Sequence, residues 1–217
     1  VTQTPGPDVV LLDYEMSNLR SAGKALERLG ARVRVATRPS EASGADAVVL
    51  PGVGRFGAAM ERLEVHGFTG MLRDEAAAGT PILGICLGLQ LLFERSEESP
   101  GVDGLGLLRG DVRRLATDRK VPHIGWSEVR WADDVIFAPD APSAGPAACT
   151  YYFVHSYACV PSEASDVLGT ADHGVEFVAA AGRSGVAGVQ FHPEKSSTAG
   201  LALLGRWLDS VRQAVAA

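Results

Sequence analysis

Cys86 stands between two contrasting runs. Pro81–Ile85 is apolar and reads as a buried strand, and Leu87–Phe93 reads as a helix. Gly84 and Gly88 lie two residues away on either side. A nucleophile on a sharp strand-to-helix turn needs such small neighbours, and a helix N-terminus favours the thiolate. The competing reading is an inert buried cysteine, since a free Cys is among the most buried residue types. A thiolate that takes up an acyl group needs a base that accepts and returns a proton, and the base needs an orienting carboxylate. His192 is the best candidate base. It follows the buried-looking strand Gly188–Phe191, and Glu194 comes two residues later. In extended backbone such a pair projects to one side, and Pro193 biases His192 toward that geometry. Acyl transfer also needs donors for an oxyanion. The amide of Leu87 opens the helix, and Gly52-Val53-Gly54 offers a second set whose glycines permit close approach or a peptide flip.

These residues must be carried by a sheet. Asp8–Leu12 reads as a central strand, followed by a polar turn, Asp13–Asn18. A helix capped by Ser17 then runs to a stop at Gly30, with Leu19, Ala22, Ala25, Leu26 and Leu29 on one face. Ala31–Ala36 and Asp46–Leu50 read as further strands, and helices are expected over about Arg55–Glu64 and Phe68–Ala78. The alternation β-α-β-α-β predicts an α/β fold with a doubly wound, mostly parallel sheet, whose sites lie at the C-terminal strand edges. The Asp13 turn, the Pro51 loop and Cys86 all fall at such edges. After the acidic loop Glu94–Asp103 the pattern changes. Leu105–Leu108, Asp111–Leu115, Ser127–Trp131 and Tyr151–Tyr157 read as strands with no helix between them, so the second half adds an antiparallel extension. Pro139–Ala148 is a low-complexity loop. Strands near Glu176–Ala181 and Gly185–Gln190 precede a final amphipathic helix, about Ser197–Val215. The pattern predicts a single domain over residues 1–217, with 1–7 a flexible N-terminus.

The 217 residues are 46% hydrophobic and 21% charged, which suits a folded chain with a substantial core. A net charge of −6 and the absence of any basic run longer than two residues argue against a nucleic-acid surface. Cys86, Cys149 and Cys159 are irregularly spaced, which suggests reduced thiols in a cytoplasmic protein. No CxxC or HxxxH pair proposes a metal site. No apolar run is long enough for a membrane span, and no signal peptide is evident. Lysine is rare, present only as Lys24, Lys120 and Lys195, which singles out Lys195. His66 reads as a surface residue and His173 as part of a turn.

Gly84–Gly88, with Pro-Gly-Val-Gly upstream and His-Pro-Glu near the C-terminus, resembles the class I (triad) glutamine amidotransferases. Asp13-Tyr14, Ser17–Ser21, Pro122–Trp126, Tyr151–Tyr157 and Gln190–Ser196 extend the resemblance over residues 8–212. Within that family they resemble the glutaminase subunits of imidazole glycerol phosphate synthase. The resemblance implies a Cys86–His192–Glu194 triad that hydrolyses L-glutamine without a cofactor or metal. It implies an oxyanion hole from Leu87 and the Gly52–Val53 peptide, with substrate contacts from Gln90, Ser156 and Tyr157. It further implies a heterodimer with a (β/α)8-barrel cyclase of histidine biosynthesis. That partner would receive the ammonia and make imidazole glycerol phosphate and an aminoimidazole carboxamide ribotide. Asn18, His123, Trp126, Tyr152 and Lys195 match positions the family uses at that interface or along the ammonia passage. Glu15 and Ser17 replace the family's usual glycines, and Ser127 its frequent Asn; all three are expected to touch the interface. Another glutaminase branch, such as the partner of pyridoxal-phosphate synthase, fits Pro122–Trp126 and His192–Ser196 less well. A non-catalytic binding module of the same fold would not need the intact triad. A peptidase or stress protein of similar fold would not need His-Pro-Glu. The Pro51–Gly54 peptide is the expected switch by which a partner turns hydrolysis on.

Overall fold

The computed structural model describes residues 6–16, 19–133, 135–139 and 149–216. Its first half is β1 (Asp8–Leu12), α1 (Leu19–Arg28), β2 (Arg32–Ala36), β3 (Ala47–Gly52), α2 (Phe56–Val65), α3 (Phe68–Ala78), β4 (Ile82–Cys86) and α4 (Leu87–Leu91). β1 pairs in parallel with β2 and β3, and β3 pairs in parallel with β4. All residues of β1, β3 and β4 are buried, as parallel strands covered on both faces must be. Their alternation divides the core in two. Val9, Leu11, Val49 and Leu83 pack with α1 and the C-terminal helix on one side. Val10, Leu12, Val48 and Leu50 pack with α2 and α3 on the other.

The second half comprises β5 (Arg95–Ser96), β6 (Gly110–Arg114), β7 (His123–Glu128), β8 (Arg130–Trp131), β9 (Thr150–His155), β10 (Tyr157–Pro161), β11 (Val167–Asp172), β12 (Glu176–Arg183), β13 (Val186–Val189) and α5 (Ser197–Ala216). The main sheet runs β2-β1-β3-β4-β13-β12-β10-β6-β5. β13 continues the parallel half beside β4, and β12, β10 and β6 add antiparallel neighbours. β7 and β9 form a separate two-stranded ribbon. This is the expected doubly wound sheet with its antiparallel extension.

Several local expectations are corrected. Leu105–Leu108 is not a strand. Its amides turn back onto the carbonyls of Leu91, Leu92 and Phe93, which caps α4 and ends it at Leu91, short of Phe93. Ser127–Trp131 is divided between β7 and β8, and β7 begins earlier, at His123. Tyr151–Tyr157 breaks at Ser156, where the chain passes from the ribbon into the main sheet. β11 was not expected at all; Val167–Asp172 mixes small and polar residues and pairs at a sheet edge. The Ser17 cap, Asn18, residues 1–5 and residues 140–148 lie outside the described residues.

Candidate active site

Register builds the site from two adjacent strand ends. β3 and β4 pair so that Gly52 sits opposite Cys86. Cys86 takes φ 56°, ψ −111°, a conformation that strains an L-residue and turns its side chain off the sheet end. The flanking glycines are needed for close approach. A Cβ on Gly88 would lie 1.8 Å from the Leu50 carbonyl oxygen, and one on Gly84 would lie 2.7 Å from the Leu89 nitrogen. α4 is thereby laid directly on β3 and β4, with Cys86 at its N-terminus.

His192 follows β13, the neighbour of β4 on the other side. Its Nδ1 lies 2.8 Å from Glu194 Oε1, and both side chains are buried. His192 itself is extended as expected, at φ −102°, ψ 93°, but the backbone after it is not. Pro193–Lys195 is a 3₁₀ turn, and Lys195 N–H donates to the His192 carbonyl. Proline at the first turn position has the φ this helix needs. The buried Ser196 hydroxyl closes the turn, donating to the His192 carbonyl at 2.6 Å and accepting from Tyr152 N–H at 2.9 Å. His192 N–H in turn donates to the Tyr152 carbonyl. Burial opposes a charged imidazole here, but the contacts with Cys86 and Glu194 outweigh it and push His192 up to about 9. The ring therefore carries a proton at neutral pH, beside the sulfur.

The Cys86 sulfur opens on a cavity of about 330 Å³, large enough for a small amino acid. Leu87, Gln90, Ser156, Tyr157, Val53 and Lys195 all line it, so those expected residues converge. The Gln90 amide is already committed. Its Nε2 donates to the Tyr157 carbonyl at 3.0 Å and to Gln190 Oε1 at 2.9 Å. Gln190, fully buried and marked in the sequence only as the start of a matching stretch, points its Nε2 at Cys86 Sγ, 3.8 Å away. Glu98 also lines the cavity, and its Oε2 accepts from Phe56 N–H at the start of α2. Its place in an acidic surface-like loop hid it; no periodicity could have singled it out.

The Pro51–Gly54 segment is held from behind. Val53 N–H donates to the Met16 carbonyl at 2.8 Å, so this amide is already committed. The buried Tyr14 hydroxyl donates to the Pro51 carbonyl at 2.7 Å. Gly54 has φ +102°, accessible to glycine at little cost.

The expected interface residues divide. Trp126 is 54% exposed and meets Tyr152 edge-on across the ribbon, with ring centroids 5.8 Å apart. Lys195 is exposed at the cavity mouth. His123 is instead buried on the inner face of β7, because odd and even positions of a strand face opposite ways. Ser127 is half-buried on that same face, within hydrogen-bond distance of His123. Glu15 is exposed at φ 67° and pairs with Arg62, which accounts for the glycine usual there. Among the described residues, no group of His, Cys, Asp or Glu is arranged to hold a metal ion, and no helix is long and apolar enough to cross a membrane.

The profile of the family described as "Glutamine amidotransferase class-I" matches residues 10–208. The imidazole glycerol phosphate synthase subunit HisH of Moorella thermoacetica is 48% identical over 207 residues, covering 95% of this chain and 96% of its own. The same subunit of Deinococcus radiodurans is 48% identical over 204 residues, covering 93% of each chain. The solved structure of PurLQS from Thermotoga maritima superposes with a TM-score of 0.73 at 19% identity, over 98% of this chain and 100% of that one; at that identity the likeness speaks for the fold.

Proposed function

The chain belongs to the class I glutamine amidotransferases, on the branch of the imidazole glycerol phosphate synthase HisH subunits, and from that premise we propose how its residues hydrolyse glutamine. The observation that carries the reading is the alignment of Cys86, His192 and Glu194 at the mouth of a cavity fit for an amino acid. The Cys86 sulfur attacks the side-chain amide carbon of L-glutamine. The imidazolium of His192, oriented by Glu194, gives its proton to the departing nitrogen, and ammonia leaves a γ-glutamyl thioester. Neutral His192 then takes a proton from water as that water attacks the thioester. The collapsing intermediate releases glutamate and the thiolate, and His192 is again protonated. The Glu98 carboxylate recognises the α-ammonium group of the substrate, and the Ser156–Tyr157 backbone lines the opposite wall.

The negative oxygen of each tetrahedral intermediate needs donors aimed at it. Leu87 N–H supplies one. Val53 N–H supplies the second only after the Gly52–Val53 peptide turns and releases the Met16 carbonyl. Loss of one such donor costs on the order of 10²–10³ in kcat, so this peptide is the natural point of control. A partner subunit that favours the turned peptide switches hydrolysis on. We read that partner as a (β/α)8-barrel cyclase that receives the ammonia, docking on the Trp126–Tyr152 face with Lys195 at the passage mouth.

Glutamine turnover and hydroxylamine trapping by the subunit assembled with its cyclase test the mechanism. Wild type is expected to yield glutamate and, with hydroxylamine, γ-glutamyl hydroxamate; Cys86→Ala is expected to yield neither. Activity surviving in Cys86→Ala would sink the thioester route.

A further inference from the structure

Next to the reacting groups lies a set of side chains that the reaction does not use. His123 and His155 are paired across the ribbon and turn inward, 3% and 6% exposed. Their hydrogen bonds determine their protons. His155 Nδ1 lies 2.9 Å from the Tyr157 carbonyl oxygen. A carbonyl only accepts, so Nδ1 carries the hydrogen, and in the neutral ring that burial favours Nε2 is left as an acceptor. His123 Nδ1, 3.0 Å from that Nε2, must therefore donate. His123 Nε2 is then an acceptor for the Ser127 hydroxyl, 3.1 Å away. With both rings buried and neutral, these contacts place both in the less common Nδ1–H tautomer. Burial works in the same direction. With His173 stacked on it and Arg119 nearby, it pushes His123 down to about 4. It pushes His155 down to about 3, despite the bond to the Tyr157 carbonyl.

The chain of bonds ends on the substrate cavity. The Tyr157 carbonyl takes its second hydrogen bond from Gln90, and the Ser156 carbonyl accepts from Leu115 N–H. We propose that Ser127, His123 and His155 form a neutral hydrogen-bond chain of fixed direction that holds the Ser156–Tyr157 backbone and the Gln90 amide against the glutamine cavity. The two histidines are thus positioning residues for substrate binding; this rests on the glutaminase reading above. The histidine chain stops at the Tyr157 carbonyl on the cavity wall and reaches the sulfur only through Gln90 and Gln190, so its loss weakens binding more than it slows chemistry.

The test uses the subunit assembled with its cyclase. His155→Phe keeps the tilted ring contacts with Phe153 and Phe177 but removes the chain, and is expected to raise KM for glutamine about tenfold with kcat changed less than about twofold. His155→Asn places an amide where Nδ1 was and is expected to recover most of the KM. His123→Phe added to His155→Phe is expected to cost little more, because the bonds act as one unit. Nitrogen-15 spectra of the histidines read the chain without turnover: both rings are expected as Nδ1–H, untitrated from about pH 5 to 9. An Nε2–H tautomer at His155, an unchanged KM in His155→Phe, or an Asn variant no better than Phe would each overturn the proposal. Wild type that fails to hydrolyse glutamine would overturn the glutaminase reading, and the spectra would still decide the chain.

Discussion

In the proposed reactive pair, Cys86 contributes one backbone choice and His192 one charge balance. The positive φ at Cys86 costs on the order of 1–3 kcal/mol, and the surrounding sheet holds it in place. His192 is held protonated in a buried place because Cys86 and Glu194 offset the loss of water, raising it to about 9 against about 6.5 for a free ring. The stability that follows has a definite pH window. It is complete below about pH 6.5 and is lost as pH rises through about 9. Cys86→Ala removes the larger of its two supporting contacts. The pH-dependent part of the difference in melting temperature between wild type and Cys86→Ala is therefore expected to shrink between about pH 6.5 and 9.5. Scans that keep that difference constant across the window would refute the imidazolium. The residue types and spacing of this pair were legible in the sequence. The turn that joins His192 to Glu194 was not, because it depends on the buried Ser196 hydroxyl bridging His192 to β9.

At the scale of elements, α4 decides the site. It is only five residues long, and its contact with β3 and β4 has no space for side chains at Gly84 or Gly88. Gly88→Ala is expected to destabilise the protein by about 3 kcal/mol or more, since its Cβ meets a carbonyl that cannot move without breaking the sheet. Gly70→Ala, within α3 and facing open space, is expected to stabilise by about 0.5–1 kcal/mol through helix propensity alone. Urea unfolding measures both, and a similar loss in the two variants would show that close approach is not the reason for Gly88. The strand–Cys–helix pattern was readable because each run is strongly apolar and the glycines punctuate it. The length of α4 was not, because distant residues Leu105–Leu108 supply the amides that end it.

For the molecule as a whole, the ribbon connects surface to site. Ile124 and Trp126 are 61% and 54% exposed on its outer face, while its inner face carries His123 and His155. β9 also lends carbonyls to both reacting residues. Tyr152 accepts from His192 N–H, and the Val154 oxygen lies 3.8 Å from Cys86 Sγ. A partner seated on the outer face thus sits one strand away from the reacting groups. Trp126→Ala is expected to weaken association with the proposed cyclase partner at least about tenfold, as loss of an aromatic anchor does, without lowering the melting temperature of the subunit alone. Titration calorimetry and thermal melts separate the two, and unchanged affinity would remove this face from the interface.

By itself the sequence determined the sheet class and singled out Cys86, His192 and Glu194 as the candidate nucleophile, base and carboxylate. Those depend on apolar runs, glycine and proline punctuation and residue chemistry within a few positions. Only the tertiary structure decided that Val53 N–H is turned toward Met16, that Gln190 and Glu98 reach the site, and that His123 faces inward. Each of these is a contact between residues tens of positions apart. Strand register and loop closure set such contacts, and neither leaves a local signal in the chain.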